Sequence, residues 1–306
     1  MSEGRGRVWA IRRGEPGYPA AMLDLGGDAP DRLFGCGSRT AIEGHELGHT
    51  VTIVGSRRAS SYGLGVAEEL GRLLAAAGLV VVSGMARGID AAAHRGALAG
   101  GGTTLAVLGS GADVAYPASQ RRLYCDILGS GAAISEAPPG QRPGPGAFPK
   151  RNRLMAALGA ITVVVEAAQP SGSLITARQA LDLGRQVGAI PGPVTSRVSE
   201  GTNGLIVDGA APLRGAQDVL DRLLGVGIEQ VGRCGPPLDP DLAGVAEAVE
   251  LGSSTCDAVA VALGAAPREV AVALARLELL GYLRADAAGR YARSALILPG
   301  GEEASP

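Results

Sequence analysis

Apolar positions along the chain follow two spacings. Six short runs are almost continuously apolar: Thr50 to Val54, Leu79 to Val82, Thr104 to Leu108, Ala132 to Ile134, Ile161 to Val165 and Val187 to Ile190. Runs of this length without polar alternation predict strands buried on both faces. Between them lie stretches with helical spacing: Gly65 to Ala77, Ile89 to Ala99, Gln120 to Leu128, Arg153 to Leu158 and Thr176 to Leu183. Strand and helix in alternation predict an α/β fold, a Rossmann-like doubly wound and mostly parallel sheet over residues 46–224.

The rest of the chain has other patterns. Residues 1–45 predict a mostly helical lead-in without chemistry of its own. Gly and Pro dominate residues 225–240 and periodicity disappears, as in an interdomain linker. Over 241–298 a helix at Asp257 to Leu263 and a second opened by Pro267 precede Tyr282-Leu283-Arg284 and Arg290-Tyr291-Ala292-Arg293, which read as paired strands. Helix, turn, helix and hairpin predict a small winged-helix-like domain, with 299–306 a tail. A helical cap used for dimerisation or protein docking fits the same pattern, because the second helix carries only Arg268 and Arg276 as cations.

In a doubly wound sheet the ligand sits at the loops leaving the carboxyl ends of the strands. Here those loops hold Gly55-Ser56-Arg57-Arg58, Ser83-Gly84-Met85-Ala86-Arg87-Gly88, Gly109-Ser110-Gly111, Ser135-Glu136, and Glu166 followed by Ser171-Gly172-Ser173. Glycine lets backbone approach an anion, a hydroxyl donates, and guanidinium pairs with phosphate oxygens. No G-x-x-x-x-G-K-[ST] occurs, so P-loop hydrolysis is excluded, and the G-x-G-x-x-G dinucleotide fingerprint is absent at the first turn.

The sole lysine, Lys150, lies in Phe148-Pro149-Lys150-Arg151-Asn152-Arg153. Cations that release counterions beside a ring on which any base can stack suit single-stranded nucleic acid. A solvated helix start would show the same charges. Overall, 28 basic and 30 acidic residues leave a net charge of -2, so an anion site must be a local concentration of cations. Asp90 and His94, four residues apart, fit a helix tied to a loop better than catalysis. Glu136 and Glu166 fit acceptors for nearby loop N–H groups, and Ser173 is an expected helix cap.

The four cysteines are far apart, which gives neither a zinc nor a redox motif and fits a reducing compartment. Without a signal-peptide core or a run near 20 apolar residues, a cytoplasmic protein with no membrane partner is expected. No cofactor is expected.

Taken in order, these motifs resemble the DNA-processing protein A family (DprA/Smf). The resemblance rests on Ile53-Val54-Gly55-Ser56-Arg57, on Ser83 through His94, on Ala106 through Gly111 with Tyr116-Pro117, and on Ser135-Glu136. It continues through Phe148 to Arg153, Ser171 to Arg178, Pro191-Gly192, and Gly204-Leu205-Ile206 with Gly209-Ala210. It implies a non-enzymatic, sequence-independent binder of single-stranded DNA that forms a homodimer and delivers the strand to the RecA recombinase in natural transformation or recombination. The implied DNA pocket comprises Ser56, Arg57, Lys150, Arg151, Asn152 and Arg153, with Phe148 as stacking ring and Ser83, Gly84 and Arg87 at its rim.

Two other readings compete. Rossmann-like phosphoribohydrolases hold a nucleotide with P-G-G-x-G-T-x-x-E, but Pro170 to Thr176 here lacks that signature. A duplex-binding regulator would rely on residues 241–298 alone.

Overall fold

The apolar runs become the centre of a nine-stranded sheet. In the computed structural model, residues 8–225, 238–285 and 289–293 are described. In chain order the first unit contains β1 (Trp9–Arg12), β2 (Arg32–Gly37), α1 (Thr40–Glu43), β3 (Thr50–Val54), α2 (Ser61–Ala76), β4 (Val80–Ser83) and α3 (Ile89–Ala99). It continues with β5 (Thr104–Val107), α4 (Arg121–Ser130), β6 (Ala132–Ser135), α5 (Ala147–Leu158), β7 (Ile161–Val164) and α6 (Gly172–Asp182). It closes with β8 (Gln186–Ala189), α7 (Glu200–Val207), β9 (Ala211–Pro212) and α8 (Ala216–Leu224).

The strand order is β1-β2-β6-β5-β4-β3-β7-β8-β9. Pairing from β6 to β9 is parallel, whereas β1 with β2 and β2 with β6 are antiparallel. Alternate residues of β3 separate two cores. Val51 and Ile53 pack with α2, α3 and α8, while Val54 packs on the other face with Leu154 and Met155 of α5 and Ala177 and Ala180 of α6. The connections after β3, β4 and β5 thus lie on one face and those after β6 and β7 on the other. This reversal makes the carboxyl ends of β3 and β7 the switch point where such sheets open a crevice.

On the first face α2 and α3 approach backbone to backbone. A Cβ added at Gly71 would lie 2.2 Å from the Ala93 carbonyl, and one at Gly96 would lie 1.9 Å from that of Glu68. Any larger residue at either position would push the helices apart.

The expected helical lead-in over 1–45 is corrected. β1 and β2 extend the sheet, and between them lies a 3-10 stretch, Ala20–Asp28. Cys36 is buried where β2 pairs with Ala133 of β6, about 100 residues away, a tertiary contact invisible to local periodicity. Residues 1–7 lie outside those described. Helix starts also move. α2 begins at Ser61 because the Ser60 hydroxyl accepts from Gly63 N at 3.1 Å. α5 begins at Ala147, with Pro149 in its first turn, where no intrahelical donor is needed. Ser171, rather than Ser173, caps α6, its hydroxyl accepting from Ser173 N at 3.3 Å.

The chain divides into two compact units, Met1–Gln230 and Val231–Pro306. The second contains α9 (Pro240–Glu250), α10 (Cys256–Leu263), α11 (Pro267–Leu279), and the antiparallel pair β10 (Leu283–Ala285) and β11 (Tyr291–Arg293). Leu242, Val245, Val270, Leu274, Leu277 and Tyr282 form its own core. The order is that of a winged helix. Most of the expected linker (226–237), the hairpin turn at 286–288 and the tail at 299–306 lie outside the described residues. Among the described residues no single helix is long and apolar enough to cross a membrane.

Candidate nucleic-acid interface

Three loops are knitted together at the switch point by main-chain hydrogen bonds. Ser56 N donates to the Glu166 carbonyl at 2.7 Å, and Ile89 N donates to the Ser56 carbonyl at 3.2 Å. Gly88 makes this possible: its φ is +83°, and a Cβ there would lie 2.2 Å from the Ser56 oxygen. Glu166, only 2% exposed, accepts from Ser60 N at 2.8 Å and from the Ser60 hydroxyl. That buried carboxylate holds the β3 loop, in line with the acceptor role expected from the sequence. Ser56 lies in the same loop, with its Oγ accepting from Arg58 N at 3.1 Å.

From this base Arg57 and Arg58 project into solvent. The Arg57 guanidinium carbon lies 5.2 Å from the centroid of the Phe148 ring, within cation–π range. Phe148 is 5.5 Å from the Tyr116 ring, with planes tilted by 33°. Together with Arg58, Gly84, Ala86, Arg87, Pro117 and Arg151, these three side chains line a cavity of about 280 Å³. No carboxylate is among the lining residues. Arg57, Arg58 and Arg87 make no ion pair among the described residues. Met85, buried in the same β4 loop, has φ +57°, a left-handed conformation uncommon for a residue with a Cβ.

Helical period divides the Phe148 to Arg153 segment, because residues three apart share a face. Phe148 and Arg151 face the cavity. Arg151 is 5% exposed, and its Nη1 donates to the Gly84 carbonyl at 2.8 Å and to the Val107 carbonyl. Burial pushes its pKa down to about 10, against the opposing charge of Asp90. Lys150 and Arg153 instead face Glu136. Arg153 makes a two-pronged pair with that carboxylate at 2.9 and 2.7 Å and donates through Nε to the Asp28 carbonyl at 3.2 Å. Lys150 Nζ lies 3.5 Å from Glu136 Oε2 but remains 68% exposed. Asn152 is buried, and its Nδ2 donates to the Gly172 carbonyl at 3.2 Å, tying α5 to α6.

The structure therefore brings Arg57, Gly84, Arg87, Phe148 and Arg151 of the predicted set around one cavity. Lys150 and Arg153 form a separate cluster with Glu136. Asn152 is engaged between helices, and the fully buried Ser83 hydroxyl donates to the Ile53 carbonyl at 2.6 Å. Sequence reasoning left Arg58 and Tyr116 out of the set. In a chain with only 3% aromatic residues, a tyrosine following a carboxyl-edge loop was the available signal.

Asp90 and His94 have structural roles, as expected. Asp90 accepts from Ala86 N at 3.3 Å, and burial pushes its carboxyl above the usual range. His94 Nδ1 lies 2.7 Å from the Thr104 hydroxyl, whose proton goes to the Val81 carbonyl. Nδ1 must then carry the ring proton. Burial drives the His94 pKa down to about 3, so the ring stays neutral.

Fold and site define a Rossmann-like protein with a cationic, aromatic-lined cavity at the switch point of its sheet. Residues 9–224 match the family model described as DNA recombination-mediator protein A, and the chain belongs to that family. A putative DNA processing protein DprA of Mycobacterium tuberculosis is 42% identical over 236 residues, covering 75% of this chain and 60% of the relative. The chain thus spans about 60% of that relative's length. The crystal structure of DNA processing protein A from Streptococcus pneumoniae is 39% identical with a TM-score of 0.64, covering 70% of this chain and 74% of that one. DNA processing protein A from Helicobacter pylori, whose structure describes a single-stranded DNA binding mode, is 29% identical with a TM-score of 0.64. There the coverage is 72% of this chain and 96% of that one.

Proposed function

We propose that this chain binds single-stranded DNA independently of sequence, acts as a homodimer without catalytic chemistry, and delivers the strand to the RecA recombinase during DNA recombination or transformation. The observation that carries this reading is the cavity in which Arg57, Arg58 and Arg87, none in an ion pair among the described residues, surround Phe148 and Tyr116. Arginines without internal partners are available to phosphate, and exposed rings accept any base. The single-stranded DNA mode of the H. pylori relative supports it. One face of Phe148 is already occupied by Arg57, so the outward stacking surface is Tyr116, 44% exposed. We assign DNA binding to residues 46–224, with Lys150 extending the track along α5 and residues 241–298 as an accessory winged-helix-like domain.

A phosphoribohydrolase would need a carboxylate aimed at the sugar. Glu166 is engaged by Ser60 and Glu136 by Arg153, which favours binding over turnover. The test is fluorescence anisotropy with single-stranded and duplex oligonucleotides of matched length across a salt series, on wild-type protein and Arg57→Glu. The proposal expects single-strand preference with a steep salt dependence. The charge reversal lowers affinity by roughly thirtyfold and shallows the salt slope by about one or more. Equal affinity in a folded Arg57→Glu protein would remove Arg57 from the interface.

A further inference from the structure

The cavity has depth as well as charge. Its rim is made of exposed side chains, Arg57, Arg58, Arg87 and Tyr116, whereas Gly84 and Arg151 at its floor are buried. Arg151 at the floor is 5% exposed and spends Nη1 on two carbonyls, while its Nε is sealed from solvent and has no hydrogen-bond partner among the described residues. Asp90, the carboxyl that acts on it, is itself disfavoured as an anion by burial. Four guanidinium groups thus line one cavity of about 280 Å³ without a carboxylate in its lining.

That concentration exceeds what an internal nucleotide brings. A phosphodiester carries one negative charge and is held between two sugars, so the chain on both sides keeps it at the rim. A terminal phosphomonoester carries roughly 1.5 to 2 negative charges at neutral pH and has three acceptor oxygens. It is tethered on one side only and can descend to the floor. A cavity near the small end of ligand-sized pockets, roughly 300 Å³, has room for a phosphate and its attached sugar.

We propose that this cavity is a strand-end site, which takes the terminal phosphomonoester of a single strand with Arg151 at the floor and Arg58 and Arg87 at the rim. Internal phosphates then follow the rim past Arg57. The proposal rests on the single-stranded DNA reading above and specifies where on the strand the protein grips first.

The test compares three single-stranded oligonucleotides of one sequence with an internal fluorophore. One ends in a 5′-phosphate, one in a 3′-phosphate, and one in hydroxyls at both ends. Direct binding to the full chain is measured by anisotropy. One of the phosphate-ended strands binds about tenfold tighter than the hydroxyl-ended strand, reflecting extra charge-assisted hydrogen bonds, and the tighter arm identifies the polarity. In Arg87→Ala and Arg58→Ala, each checked for fold by circular dichroism, the ratio collapses toward one. Equal binding of all three strands by wild-type protein overturns the strand-end site while leaving single-stranded DNA binding standing. Failure of all three to bind removes both.

Discussion

Arg57, Arg58 and Arg87 stand on loops at the carboxyl edge of the sheet, whereas Arg151 and Arg153 stand on α5. The side chains are chemically identical and their circumstances are opposite. The loop arginines are exposed, and Arg57 lies over the Phe148 ring. Arg153 is clamped by Glu136 and the Asp28 carbonyl, and Arg151 bridges the carbonyls of the β4 loop and β5. Arg153, with its donors engaged, contributes to the frame, the loop arginines contribute to a ligand, and Arg151 serves both, its Nη1 on two carbonyls and its charge at the cavity floor. Density of positive charge in the sequence does not distinguish them; hydrogen-bond accounting does.

The contrast is sharpest at Arg151. Arg151→Ala leaves two buried carbonyls without donors and is expected to cost about 3 kcal/mol of stability, read as a lower urea midpoint. A variant as stable as wild type would remove Arg151 from the frame. Next in size, Tyr116→Ala leaves stability nearly unchanged and weakens single-strand binding by about tenfold, the loss of one stacked base. Unaltered affinity would return the stacking role to Phe148 alone.

The frame also has a pH signature. His94, pulled to about 3 from 6.5 by burial, resists a proton that the unfolded chain accepts. Its contribution is therefore complete above pH 6.5 and is lost as pH falls from there toward 3. Urea midpoints should decline below neutrality with a slope of up to about 1.4 kcal/mol per pH unit. Asp90, held above its usual range, contributes the opposite slope, so Asp90→Asn makes the acid decline steeper. Flat midpoints down to mildly acidic pH would mean that the ring is not sealed. The smallest effect is at Lys150, whose exposed pair with Glu136 is worth little. Lys150→Ala shifts stability by less than about 0.5 kcal/mol, and its loss in affinity is smaller than that at Tyr116.

Much of this was legible in the chain. Near-continuous apolar runs marked β3 to β8, and the glycine and hydroxyl loops between them marked the edge where the cavity lies. What periodicity could not show was partnership. β1 and β2 join the sheet through β6, a distant pairing that local pattern does not encode. Phe148 to Arg153 reads as one cationic cluster on paper, yet starting α5 at Ala147 sends Arg151 one way and Arg153 another. Tyr116 follows a carboxyl-edge loop, yet its partnership with Phe148 shows only when the two rings are found side by side. The Ser83 hydroxyl, well placed in the sequence for a ligand, is turned inward to β3.

The close contact of α2 and α3 has a mechanical consequence. One arginine loop feeds the first of these helices and the other feeds the second. Because Gly71 and Gly96 let the two main chains touch, the gap between Arg57 and Arg87 is gauged by backbone stacked on backbone, like the jaws of a fixed spanner. A ligand entering it meets an opening already cut to width and forfeits little of its binding energy to ordering the protein.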